Sequence, residues 1–222
     1  KRDCRMCLEI CPVGAIKSDG RKIALNPYLC QGCGGCALVC PADAILMQAP
    51  TQQDLLSDLA GKLSRAIASG NTRPELVVVD QNLESSALRS ATAANGAAPI
   101  FLDLEEIGRF GLEAMLSSLA YGAAGVTLIC DRERRQMEFG RAILQGMGIR
   151  AERIRLIERD TGDTVDPQTI FPKDASSSGQ VEPLLKPATF DFHHDPHTLT
   201  RLAAEHLYAG SGAKQSAVSL PA

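Results

Sequence analysis

Cys30-Gln31-Gly32-Cys33-Gly34-Gly35-Cys36-Ala37-Leu38-Val39-Cys40-Pro41 is the stretch on which the reading of this chain turns. Three thiols at two-residue spacing on a tight loop can each reach a different iron of one iron–sulfur cubane. Gly32, Gly34 and Gly35 put no Cβ in the way, so backbone amides can approach and hydrogen-bond the sulfides. The fourth cysteine, with Pro41 behind it, is expected to open a helix, because proline in a first helical turn leaves no N–H without a partner. Zinc is the competing reading, since Cys-x2-Cys pairs also build zinc sites. Zinc, however, takes two pairs and not a run of four ending in Cys-Pro.

The other cysteines fall into place around this run. Seven of the eight lie in the first 40 residues: Cys4, Cys7, Cys11, Cys30, Cys33, Cys36 and Cys40. Disulfide scaffolds spread their cysteines instead. The stretch Cys4-Arg5-Met6-Cys7-Leu8-Glu9-Ile10-Cys11-Pro12-Val13-Gly14-Ala15-Ile16 returns as 33–45, an offset of 29 residues. Both copies keep Cys-x2-Cys-x3-Cys-Pro and then Ala-Ile. Between them, Arg21-Lys22-Ile23-Ala24-Leu25 is expected to form a short strand paired within the small domain.

On these residues, segment 1–48 resembles a bacterial-type dicluster ferredoxin domain of α+β fold. The resemblance implies that the last cysteine of each run ligates the other cluster. One 4Fe–4S cluster would then take Cys11, Cys30, Cys33 and Cys36, with Gly32, Gly34, Gly35, Pro12 and Pro41 lining the cofactors. The second would take Cys4, Cys7 and Cys40, but its first ligand position holds Lys1, and a protonated lysine does not ligate iron. Several readings stay open. The site holds a 3Fe–4S cluster; an upstream or non-cysteine ligand, with Asp3 the nearest oxygen donor, completes a 4Fe–4S cluster; the start of the sequence makes Lys1 uninformative; or the cysteines are vestigial.

Composition bounds the rest. The chain has 222 residues, 45% hydrophobic and 22% charged, with net charge −3. Its pI near 5.8 gives no basic footprint, so neither nucleic acid nor an anionic membrane is expected as partner. No apolar run is long enough for a membrane span, and no secretory signal opens the sequence. A cytoplasmic protein is expected. The lack of an initiator Met and the abrupt close at Ser219-Leu220-Pro221-Ala222 suggest a piece of a longer chain.

Beyond the cysteines the pattern predicts an α/β domain over 74–160 with a mainly parallel four-stranded sheet. Residues 49–73 read as a linker helix with Leu55, Leu56, Leu59, Leu63 and Ile67 on one face. Strands are expected at 76–79, 100–102, 126–129 and 153–157, and helices at 84–94, 107–122 and 132–147. No phosphate-binding motif follows a strand; Gly61-Lys62-Leu63-Ser64 reads as ordinary helix surface. Cys130 ends the third strand, where a small core residue is the simplest account, although the neighbouring Arg132, Arg134 and Arg135 could lower its thiol pKa.

The stretches Gly122-Ala123-Ala124-Gly125-Val126-Thr127-Leu128-Ile129-Cys130, Gly140-Arg141-Ala142-Ile143-Leu144 and Gly148-Ile149-Arg150-Ala151-Glu152-Arg153-Ile154-Arg155 resemble the iron–sulfur delta subunit of methyl-viologen-reducing hydrogenases, also found fused to heterodisulfide-reductase components. That resemblance implies electron wiring within a larger redox complex, with dehydrogenase, hydrogenase or heterodisulfide-reductase-like subunits as partners. Only Cys130 is available here, so no cluster is expected in this domain.

Residues 161–196 have a linker composition, 197–209 form a last amphipathic helix expected to dock on the sheet, and 210–222 are a tail. His193-His194-Asp195-Pro196-His197 reads as a loop entering that helix, with a metal site as the lesser alternative. The sequence therefore points to an electron carrier of low potential, not itself an enzyme. Its rivals are a subunit that binds a flavin or small substrate at its strand ends, and a redox-sensing or assembly module.

Overall fold

The computed structural model describes residues 4–19, 22–40, 42, 44–47, 51–80, 89, 99–105, 107–130, 135–158 and 186–212. In the small N-terminal domain, helix α1 (Met6–Ile10) leads to strands β1 (Ile16–Ser18) and β2 (Ile23–Leu25), and then to helix α2 (Gly35–Leu38). The strands pair antiparallel, with Ile16 opposite Leu25. The expected strand is present as 23–25; Arg21 lies outside the described residues.

The sequence repeat is also a structural repeat. Helices α1 and α2 begin 29 residues apart. Each is followed by a cysteine whose Sγ accepts a backbone N–H four residues on, Ala15 to Cys11 at 3.2 Å and Ala44 to Cys40 at 3.3 Å. Here the helix expectation is corrected. Cys11 and Cys40 come after short helices and open none among the described residues. A proline cannot donate an N–H to a preceding turn, so Cys-Pro stops a helix that arrives from the N-terminal side.

A second domain carries a four-stranded sheet in the order β4-β3-β5-β6, from β3 (Glu75–Asp80), β4 (Ile100–Leu104), β5 (Gly125–Cys130) and β6 (Ile154–Glu158). All neighbours are parallel. Their β-branched and aliphatic runs suit strands buried on both faces. Leu76, Val78, Leu102, Val126, Leu128 and Ile154 face the main core, whereas Val77, Val79 and Ile129 face the opposite side with Phe101 and Ile157. On that second face Arg155 ties three strands together, bonding Thr127 Oγ1 at 3.0 Å and Glu75 Oε2 at 2.8 Å. The expected helix at 84–94 lies outside the described residues apart from Arg89, which sits over the Phe101 ring and pairs with Asp103.

Helices cover the main core face: α3 (Gln52–Ala68), α4 (Leu112–Ala120), α5 (Arg135–Gly146) and α6 (Pro196–Ser211). Thr51 and Asp54 form a capping box that starts α3. This helix is an integral part of the core, because Leu55, Leu56, Leu59 and Leu63 are buried in it. The helix expected over 107–122 is broken in two. A single 3-10 turn, Ile107–Arg109, is separated from α4 by Gly111, whose extended backbone (ψ −171°) cannot continue a helix. Arg132 and Arg134 lie outside the described residues.

Helix α6 starts on Asp195, which accepts the Thr198 N–H at 2.9 Å, with Pro196 in the first turn. It docks chiefly on α4, where the sheet was the expected seat. Residues 186–192, within the stretch read as linker, lie against the core as well: Tyr121 meets Phe190 and Phe192 at 4.9 and 5.7 Å between ring centroids.

Candidate metal centre

Two short connections bring distant cysteines together. The β1–β2 pairing folds the chain back on itself, and Asn26 then donates its N–H to Ala15 O at 2.8 Å, next to the Cys11 turn. Asn26 also starts the turn that delivers Cys30: its carbonyl accepts the Cys30 N–H at 3.1 Å, and its side chain accepts the Tyr28 N–H at 3.0 Å. As a result Cys11, Cys30, Cys33 and Cys36 line one cavity of about 110 Å³. Its walls are otherwise mainly apolar, from Val13, Ile16, Leu25, Ile45, Leu46 and Met47, with Gln31 the polar exception.

The remaining expected positions divide. Gly32, Gly34 and Pro12 line the cavity. Gly35 does not, and a Cβ there would stand at ordinary contact distance, 3.5 Å from Ile10 Cγ1. Gly34 is the constrained glycine, with φ +72° and a Cβ position only 3.2 Å from Arg109 Cγ. Cys4 is exposed ahead of α1, Cys7 is half-buried within it, and Cys40 is half-buried after α2; none of the three lines that cavity. Lys1, Asp3 and Pro41 lie outside the described residues.

The electrostatics fit a cation-bearing group. Burial pushes the Cys36 thiol up, and the Cys33 and Cys30 sulfurs push it further, against the lowering effect of the Ala37 amide. A thiol so placed resists ionising unless positive charge sits beside it. At Cys11 burial also raises the pKa, but the amides of Ala15, Val13, Ile16 and Gly14 together outweigh it and hold the thiol below its ordinary range. Among the described residues no three Cys, His, Asp or Glu side chains converge closely enough to share a single metal ion; the four thiols surround a space instead. Four soft sulfur donors around an apolar cavity with nearby amides are the donor chemistry of an iron–sulfur cluster.

Elsewhere, Cys130 is buried in the main core. His193 pairs with Asp191, and Asp195 is used as the cap of α6. Arg153 is buried, its pKa lowered by that burial, and its guanidinium bonds the carbonyls of Ala123 and Ala124 just past α4. The residue that sequence reading missed is Arg109. The available signal was a lone charge in an otherwise apolar stretch, Ile107-Gly108-Arg109-Phe110-Gly111-Leu112.

Residues 2–53 match the family model of the 4Fe-4S dicluster domain. The N-terminal segment is thus a ferredoxin-type iron–sulfur domain. The chain is 52% identical over 42 residues to an uncharacterized ferredoxin of Methanocaldococcus jannaschii, covering 19% of this chain and 25% of that protein. It is 54% identical over 39 residues to hydrogenase-4 component A of Escherichia coli, covering 18% and 19%. To the protein named ferredoxin 7Fe of Hydrogenibacillus schlegelii it is 41% identical over 39 residues, covering 18% and 50%. The chain therefore spans a fifth to a half of the length of these relatives. No solved structure gives a significant match. Iron–sulfur electron transfer is the role that this domain and its relatives support. Among the described residues no helix is long and apolar enough to cross a membrane.

Proposed function

We propose that the chain is a non-catalytic electron-transfer module that relays single electrons through two clusters within a larger redox assembly. The observation that carries this reading is the cavity on which Cys11, Cys30, Cys33 and Cys36 converge inside the segment matching a dicluster domain. When bound, a cluster held there would supply reversible one-electron redox chemistry. The chain's own residues do the rest. The four thiolates hold the cofactor, the apolar wall limits water, and the backbone amides around Cys11 stabilise negative charge on sulfur.

Cys4, Cys7 and Cys40 are assigned to a second cluster, 4Fe–4S or 3Fe–4S, with Lys1 at the departing position. The relative named ferredoxin 7Fe makes the three-iron form a reasonable choice for that site.

The partners are redox proteins of the dehydrogenase, hydrogenase or heterodisulfide-reductase type, met in the cytoplasm. Resemblance of residues 74–160 to a hydrogenase delta subunit and the likeness to hydrogenase-4 component A support this. So does the surface. The large hydrophobic side chains exposed among the described residues, Met6, Ile10, Ile23, Leu25, Tyr28, Leu29 and Leu46, all belong to the small domain, and Tyr28 is 96% exposed two residues before Cys30. A concentration of exposed apolar side chains marks a contact surface.

The test is anaerobic stopped-flow mixing of dithionite-reduced protein with a one-electron acceptor such as cytochrome c. Oxidation of the protein in single-electron steps, with no turnover of flavin or organic substrate, is the expected result. A protein that cannot be reduced and reoxidised reversibly overturns the reading.

A further inference from the structure

We propose that Arg109, carried by the sheet domain, raises the reduction potential of the cluster held by Cys11, Cys30, Cys33 and Cys36, and so couples that domain to electron flow. The proposal rests on the reading of these four cysteines as cluster ligands. It starts from one contact. Gly34 lines the cysteine cavity, and Arg109 Cγ stands 3.2 Å from where a Cβ on Gly34 would be. Helix α2, which begins one residue later and contains Cys36, packs on the 3-10 turn that Arg109 ends. Arg109 is only 9% exposed.

A guanidinium is charged at every accessible pH, and burial lengthens the reach of its field. Methionine would fill similar space without the cost of desolvating a charge. Reduction adds one negative charge to a thiolate-ligated cluster, so a nearby fixed positive charge favours the reduced form. The surrounding charges act in the same direction when Arg109 is removed. Asp54 already feels Arg109, and Glu113, buried in the first turn of α4, accepts a hydrogen bond from Gln52 at 2.8 Å. Without Arg109, the negative charge of Asp54 is less compensated.

The experiment uses the whole chain, reconstituted anaerobically with iron and sulfide, as wild type, Arg109→Lys, Arg109→Gln and Arg109→Met. Iron is counted first, and midpoint potentials are then read by spectroelectrochemical titration. The relevant couple is the one that survives in Cys40→Ala. Arg109→Met and Arg109→Gln are expected to lower the reduction constant of that couple about tenfold, equivalent to 59 mV for one electron. The other couple should move much less, and Arg109→Lys should stay near wild type. Sign separates charge from packing, because a loosened loop admits water, which stabilises the more charged reduced form and raises the potential. An unchanged or raised potential in both uncharged variants at full iron content overturns the proposal. So does iron loss in all three variants, Arg109→Lys included. A wild-type chain that takes up no iron overturns the ligand reading itself, and the proposal with it.

Discussion

The Ala15 N–H points at Cys11 Sγ from 3.2 Å, and the carbonyl of the same Ala15 accepts the Asn26 N–H. One residue thus fixes the sulfur and ties its turn to the segment that delivers Cys30. This is how Cys11 comes to share a cavity with cysteines 19 to 25 residues away in the chain. Cys11→Ala should therefore strip iron from the Cys30, Cys33 and Cys36 site while leaving the other cluster. Cys40→Ala should do the reverse. Iron analysis combined with EPR of each variant checks the crossing; loss of the same cluster in both variants would rule it out.

Gly34→Ala should destabilise the protein through two separable causes. The left-handed backbone at φ +72° costs a residue with a Cβ roughly 1–2 kcal/mol. The new methyl must also push Arg109 Cγ back from 3.2 Å. Equilibrium denaturation of Gly34→Ala, Arg109→Ala and the double variant measures both parts. The steric part should vanish in the double variant and the backbone part should stay.

Leu59→Ala should cost about 2–5 kcal/mol, as for a leucine truncated in a packed core, because Leu59 is fully buried among the helices and sheet. Loss at the low surface end, below about 0.5 kcal/mol, would mean that α3 is only a tether.

Acid should loosen two helix starts. The Thr51 hydroxyl and amide, and the Arg109 charge, hold Asp54 below the usual carboxylate range, and Thr198 does the same for Asp195. Both folded-state values are depressed, so both caps contribute fully above the unfolded pKa of about 3.9. The contribution is lost as pH falls through the lower folded value. Circular dichroism melts should show Asp54→Asn and Asp195→Asn closing on the wild-type stability as pH drops below about 4, with their largest deficit at neutral pH.

The sequence was most informative where chemistry is local. Cysteine spacing is a property of a dozen residues, and the run Leu76-Val77-Val78-Val79 needs no partner to read as a buried strand. The structure puts the cysteines of one inferred ligand set around one cavity and finds the parallel sheet. What was not legible depends on distant contacts. Arg109 looks like one charge on a helix until Gly34, 75 residues earlier, is placed against it. Phe190 and Phe192 sit in a proline-rich stretch with loop composition, and their half-burial comes from packing on Tyr121 and the main core. The expected helix start at Cys40 fails for a local reason: a proline behind a cysteine is compatible with the start of a helix and equally with its end.

The most direct test of the account is the iron and acid-labile sulfide content of the anaerobically reconstituted chain, with low-temperature EPR before and after dithionite. The account predicts about seven or eight irons per chain with matching sulfide and signals from two clusters. Seven with an oxidised three-iron signal would assign the 3Fe–4S form to the Cys4, Cys7 and Cys40 site, and eight a second cubane. A chain that binds zinc without sulfide, or no more than one iron, would contradict it.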